Sequence, residues 1–269
     1  MDSLNRQVNV KIKVFIVDHG TIDFKLQKNY DYEVVILKRS SKLWFTGAIN
    51  EGLKEVIKDN LIKYVCLMND DIIIEKNDLL FNLKSKIIDN NAIVSAMAIT
   101  KDKNIIYSGL KLNLLTTKFI KLNNNKKYIS NSLEFIECDV LPTRCIMFSK
   151  ELLIKHGIFN DKDLPHYGSD YEWTMRLKKY GYKLLMSQND YIIIDDDINS
   201  RVSGRKKYKK NKFFAFITDL FDKKQYGSIY VNFFTIYKNY NFFYVLYFVS
   251  NRFFRRILGF FYTNYIKRI

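Results

Sequence analysis

Two periods organise the apolar positions of this chain. Short runs rich in Val and Ile read as strands, and longer stretches with apolar residues every three to four positions read as helices. Lys11–Val17 is predicted as a strand ending at Asp18-His19-Gly20-Thr21, and Tyr32–Leu37 as a second strand. Gly47–Asn60 carries Ile49, Leu53, Val56 and Ile57 on one helical face. Tyr64–Met68 is an uninterrupted apolar run of the kind buried on both faces of a sheet. Asn77 is expected to cap a helix through Ile88, and Ala92–Ile99 reads as the next strand. This alternation predicts an α/β fold with a mainly parallel sheet and helices on both sides. Ligands of such sheets bind beyond the carboxyl ends of the strands, where Asp18 and the pair Asp70–Asp71 both fall.

The pattern breaks at residues 100–135, which are polar and irregular, with Asn123–Lys127 as a loop tip; a hairpin excursion is expected before Phe135–Phe148 returns to the sheet. Ser169–Tyr180 is a well-signalled helix. Ser169 and Glu172 have capping-box spacing, Glu172 and Arg176 lie one turn apart, Gly181 ends it, and Trp173, Leu177 and Tyr180 supply its apolar face. Tyr191–Ile194 is a further strand, followed by Asp195-Asp196-Asp197. No internal repeat is visible.

Composition adds a division. The chain of 269 residues is 48% hydrophobic, with two prolines and ten glycines, enough for one large domain plus an appendage and no obvious linker. The net charge of +16 is uneven: residues 201–269 hold 15 Lys+Arg and 2 Asp+Glu, hence +13, together with 22 of the 42 aromatics. A domain over 1–200 and a basic aromatic helical tail over 201–269 are therefore expected. The tail begins with Arg205, Lys206, Lys207, Lys209, Lys210 and Lys212, and its longest uncharged apolar run, Phe242–Val249, is far shorter than the roughly 20 residues that span a bilayer. Aromatics mixed with Arg and Lys suit an anionic membrane surface, where each basic group is worth about 1 kcal/mol. Packing of these helices on the domain is the bland alternative; nucleic-acid binding would leave the acidic residues unexplained and is not expected. Cys66, Cys138 and Cys145 form neither a disulfide framework nor a zinc pattern and read as reduced thiols of a cytosolic protein. No apolar stretch follows Met1–Arg6, so no signal peptide is expected there.

The chemistry rests on acids. Asp70 and Asp71, directly after a buried strand, suit Mg²⁺ or Mn²⁺, which often take one or two carboxylates plus substrate phosphates; a turn cap is the plain alternative. Asp170, in the first turn of a helix, is a candidate general base, or an ordinary first-turn acid. The capping box and Arg176 make Glu172 a structural residue. Asp18 and His19 stand where a strand end could grip a nucleotide or simply form a turn, and Asp195–Asp197 could complete a metal site or form a solvated loop. His156 and His166 have no nucleophile at a telling spacing, and neither a Gly-Lys-Ser/Thr phosphate loop nor a Gly-x-Ser-x-Gly elbow is present.

Four segments taken in order carry a resemblance. Asp18-His19-Gly20-Thr21-Ile22-Asp23, Phe45–Gly52, Asn69-Asp70-Asp71, and Gly157-Ile158-Phe159-Asn160 followed by Tyr167–Gly181 resemble the motifs of family 2 glycosyltransferases, over roughly residues 4–200. The likeness is to those of bacterial surface-polysaccharide synthesis. It implies a GT-A fold, a three-layer α/β/α sandwich with a mostly parallel central sheet. It further implies an inverting, metal-dependent transfer, of the hexosyltransferase type, from a nucleotide-diphospho-sugar to a hydroxyl of a glycan or lipid-linked acceptor, with the protein cytoplasmic and peripheral on the inner face of the cell membrane. On the matched positions, Asp170 is the base, Asp71 the metal-binding acid with Asp70 beside it, Asp18 with His19 the nucleotide contact, Gly47 and Asn50 the turn lining the donor site, and Arg144 a residue approaching the pyrophosphate. Two departures stand out. The family's first strand is missing, leaving Leu4–Gln7 as the last turn of its first helix, and Asp195 or Asp196 stands where a metal-binding His is common. A non-catalytic relative that binds glycan or membrane is the alternative these departures leave.

Overall fold

The computed structural model describes residues 1–20, 24–123, 126–129, 134–194 and 212–263. A short helix α1 (Asp2–Asn5) precedes β1 (Lys13–Asp18), which pairs in parallel with β2 (Glu33–Lys38) as a two-stranded sheet of its own. A 3-10 turn at Ser41–Leu43 leads into α2 (Trp44–Lys58), which holds this small sheet to the body. Gly52 permits the approach: a Cβ there would stand 3.1 Å from Val17 Cγ2. At the other end of the helix Lys13 Nζ reaches Asp59 at 2.9 Å.

β3 (Tyr64–Met68), β4 (Ile72–Ile73), α3 (Leu79–Asn90), β5 (Ala92–Ile99) and β6 (Ile105–Tyr107) follow, then the hairpin β7 (Leu110–Asn113) and β8 (Lys118–Lys121). β9 (Phe135–Glu137), β10 (Cys145–Ser149), α4 (Glu151–His156), α5 (Ser169–Lys179) and β11 (Lys183–Ile194) complete the body. The main sheet has the order β3-β10-β5-β11-β4, with β6 on β5 and β9 on β11. It is mixed rather than mostly parallel in its ladders. β5 and β11 are parallel, and β3 runs their way, but β10 lies antiparallel between β3 and β5. The cause is the connection: parallel entry needs a helical crossover, and the chain passes from β5 to β10 through a hairpin and β9 with no helix between among the described residues.

All eight residues of β5 are buried, as a strand covered on both faces requires. Trp173 of α5 is fully buried between Phe159 and Phe148, ring centroids 4.8 and 4.7 Å away. The tail contributes three described helices, Lys212–Phe221, Ile229–Ile236 and Phe242–Phe261. Ile236, Val245 and Phe248 belong to the same core as the body, whereas Phe216, Leu220 and Phe260 make a small cluster of their own. Among the described residues no helix is long and apolar enough to cross a membrane.

Two expected caps are made by other residues. Asn77 does not cap α3; Gln7 Oε1, from the far end of the chain, accepts the free Leu80 N–H at 3.0 Å. The capping box of α5 is not formed either. Gly168, at φ +84°, precedes the helix, while Ser169 Oγ bonds Thr46 Oγ1 at 2.9 Å and Glu172 turns to Arg176. Tyr180 is exposed rather than on the apolar face. The three cysteines are free thiols.

Candidate functional site

β3 delivers Asn69-Asp70-Asp71 to the carboxyl end of the sheet, and β10 runs back from the same edge, pairing Cys145 with Met68. Arg144 therefore starts β10 beside the acids, and its carbonyl accepts the Asn69 N–H at 3.1 Å. The loop before it, Leu141–Arg144, is fastened to α5. The Leu141 N–H donates to Thr174 Oγ1 at 3.4 Å, and the Thr143 N–H donates to the Asp170 carboxylate. Backbone groups of Arg144 and Thr143 thus link Asn69, next to the acid pair, to the Asp170 carboxylate.

The first turn of α5 is held from the opposite side by α2. Thr46 donates its N–H to Pro165 O at 3.0 Å and its hydroxyl to Leu164 O at 2.7 Å. Asp170 is enclosed by its neighbours yet keeps partial access to solvent, as a proton acceptor requires. Burial pushes its carboxyl up to about 6, against the N–H groups of Tyr171 and Thr143 and the Arg144 charge, which favour the anion. The neighbouring Tyr171 phenol is pushed well up by burial and then by Asp170 itself, so it stays protonated.

Asp71 is partly buried, and its Oδ1 is buried without a hydrogen-bond partner, while Asp70 is exposed. An orphaned carboxylate oxygen of this kind fits a hard cation. Among the described residues no three acids, imidazoles or thiols gather as a metal-holding group. Ile72, next to Asp71, pairs with Ile194 at the end of β11; Asp195 itself, with Asp196 and Asp197, lies outside the described residues.

The other sequence candidates separate. Asp18 ends β1, its Oδ1 accepting Gly20 N–H at 3.1 Å and its Oδ2 Phe24 N–H at 3.0 Å. These bonds hold its carboxyl below the ordinary range, with smaller help from Lys38 and His19. It belongs to the smaller sheet, and among the described residues no hydrogen bond links it to Asp71 or Asp170. Residues 21–23 of its motif lie outside the described residues.

Gly47 sits inside the first turn of α2, not in a turn before it. Asn50 needs a correction. Its amide is buried and spent on the Phe159 backbone, donating to the carbonyl at 2.9 Å and accepting the N–H at 3.2 Å, which leaves it unable to line a donor site. Asn50→Ala is expected to destabilise by about 1–3 kcal/mol, chiefly through the Phe159 N–H left unpaired, since the Phe159 carbonyl keeps the Asp161 N–H at 3.1 Å; the change is read as a lower melting temperature. Thr46 and Thr143 escaped the sequence reading. Both act largely through main-chain bonds to residues distant in sequence, which no local pattern marks.

A family model described as glycosyl transferase family 2 matches residues 1–157, more than half of the chain. The chain belongs to glycosyl transferase family 2. The matched segment of this family 2 chain includes Asp18, Asp71 and Arg144 and ends at Gly157, before α5. Many solved structures also match, 78 chains in all. Among them is the crystal structure of GalNAc-T7 with UDP, GalNAc and Mn²⁺, at a TM-score of 0.51 and 12% identity. The match covers 77% of this chain and 44% of that one, so the family 2 chain spans less than half of its structural neighbour. At this identity the likeness shows the fold, GT-A. No curated protein matches.

Proposed function

We propose that this protein is an inverting glycosyltransferase that moves a sugar, of the hexose type, from a nucleotide-diphospho-sugar to a hydroxyl of a glycan or lipid-linked acceptor, in surface polysaccharide synthesis. The observation that carries the reading is the bonded line from the Asn69–Asp71 turn through Arg144 and Thr143 to Asp170, with an unpartnered Asp71 oxygen at one end and a carboxyl poised near pH 6 at the other. Family membership and the UDP, GalNAc and Mn²⁺ of GalNAc-T7 support the donor class.

In this reading Asp170 accepts the proton of the acceptor hydroxyl as its oxygen attacks the anomeric carbon. The bond to the nucleoside diphosphate breaks on the opposite face, which inverts the configuration. Thr143 and Arg144 favour the ionised form of Asp170; Arg144 would approach the departing diphosphate. Asp71, with Asp70 beside it, would hold Mg²⁺ or Mn²⁺, which when bound would screen the charge growing on the diphosphate. The basic aromatic tail would keep the protein cytoplasmic and peripheral on the inner face of the cell membrane, at an anionic surface.

Asp71→Asn is expected to abolish the heat of metal-dependent binding in calorimetry with UDP-sugars and Mn²⁺, and to lower transfer at least 100-fold. Unchanged metal dependence would reject the assignment. A binding-only relative is the second reading. Its support is the separation of β1–β2, which carries Asp18, from the main sheet. That reading predicts no metal-dependent heat with any donor.

A further inference from the structure

The β7–β8 hairpin ends in the turn Leu114–Thr117, and the helix Phe242–Phe261 caps four successive carbonyls of that turn. Tyr244 OH donates to Leu114 O at 3.3 Å, Tyr247 OH to Leu115 O, Arg255 Nη1 to Thr116 O at 2.9 Å and Arg252 Nη1 to Thr117 O at 3.0 Å. The turn's backbone acceptors are thereby satisfied without water. What remains outermost is mainly apolar: Leu115 is 81% exposed and Leu114 53%, with Thr116 exposed beside them. A segment with its carbonyls satisfied and leucines outward is suited to a medium that offers no hydrogen bonds.

The helix continues this surface. Phe243, Tyr247, Phe254, Leu258 and Phe261 are all exposed at spacings of four, seven, four and three, one stripe along its outer side. The two elements themselves carry positive charge only, although Asp139 of the body pairs with Lys111 at the base of the hairpin. The helix has three arginines and no acid, and the hairpin Leu110–Lys121 has three lysines and no acid. Lys118 is exposed beside the tip and Arg255 beside the stripe. Like charge disfavours a second copy of the chain, and outward leucines have no role against nucleic-acid phosphates.

We propose that the Leu114–Thr117 tip and the outer stripe of the C-terminal helix form one face that seats on an anionic lipid bilayer, with Leu114 and Leu115 entering the acyl boundary and Lys118 and Arg255 meeting the headgroups. This rests on the membrane part of the proposed function and not on sugar transfer, and it extends bilayer contact from the basic tail to a hairpin of the body. The seat also touches the site. Phe119, two residues past the turn's end, meets Tyr171 edge-on at 5.0 Å, next to Asp170, and Arg252 lies over its ring. An acceptor held in the membrane would be presented on the side of the base.

The test is co-sedimentation of the full chain with phosphatidylglycerol or phosphatidylcholine vesicles, comparing wild type, the Leu114→Ser/Leu115→Ser double variant, and Leu61→Ser, the same kind of change at a residue outside the hairpin and the tail that is 91% exposed. Phosphatidylglycerol binding is expected to fall at least tenfold in the double variant and to hold in Leu61→Ser. In Leu115→Trp, bound fluorescence is expected to shift blue and to be quenched by brominated lipid. Wild-type binding that survives the tip substitutions, or an unquenched Leu115→Trp on vesicles, overturns the inference alone. Absence of wild-type binding overturns the membrane reading with it. Retention of a single-stranded oligonucleotide that the tip substitutions abolish would reassign the face and also overturn the proposal. Transfer to a water-soluble acceptor is expected to be equal in all variants, which separates these outcomes from failure of the catalytic reading.

Discussion

Asp170→Asn is expected to lower transfer by about 10³-fold or more while making the protein more stable. The loss follows from removing the proton acceptor. The gain follows from the position of the carboxyl. Its folded value of about 6 stands above the ordinary 3.8 because burial disfavours the anion. Between those values the folded state holds a proton that the unfolded state has lost, so stability falls as pH rises through the window and the deficit is complete above pH ~6. That deficit is about 3 kcal/mol, and the neutral amide should recover part of it, or several degrees of melting temperature at pH 7. The gap between wild type and variant should close below about pH 4. In the wild type kcat/KM should rise with pH to half its plateau near pH 6. Melting curves and rates across pH 4–8 check both, and full turnover by the variant would remove Asp170 from its assigned role.

Arg176→Met should have the largest structural effect, a loss of about 3–5 kcal/mol. Glu172 is fully buried on α5, and Arg176 supplies its countercharge, Nε to Oε1 at 2.8 Å and Nη2 to Oε2 at 3.3 Å. The same guanidinium donates to His156 O and, at 3.0 Å, to Ile158 O. Trp173 Nε1 holds Gly157 O between them at 3.0 Å. Removing the arginine leaves an anion without a partner in the interior. Substituting both residues, Glu172→Met with Arg176→Met, should restore much of the loss, because the charge disappears with its partner. Denaturant midpoints of the two single variants and the double give the coupling directly.

The sequence carried the elements whose signal is local. β3 coincides with the apolar run Tyr64–Met68, and β1, β2, α2, β5 and α5 fall within a few residues of their expected spans. The positions of Asp71 and Asp170 at strand and helix ends were legible for the same reason. What escaped depends on partners far along the chain. Gln7 replaces Asn77 at α3 from 73 residues away. Ser169 abandons its capping box because Thr46, 123 residues distant, offers a buried hydroxyl. Asn50 sits in a family motif, yet its amide faces Phe159, 109 residues on, and is consumed there. The reversed direction of β10 is equally silent in a periodicity, which reports burial and not orientation.

The bonds from the last helix to the hairpin turn join residues 130 to 139 positions apart. Ribosomes deliver the turn long before the helix that covers it. Until Phe242–Phe261 emerges, a nascent chain must carry the Leu114–Thr117 carbonyls hydrated and the Phe119 ring uncovered by Arg252. Closing so distant a loop is slow, which makes the completed acceptor side a late event in folding.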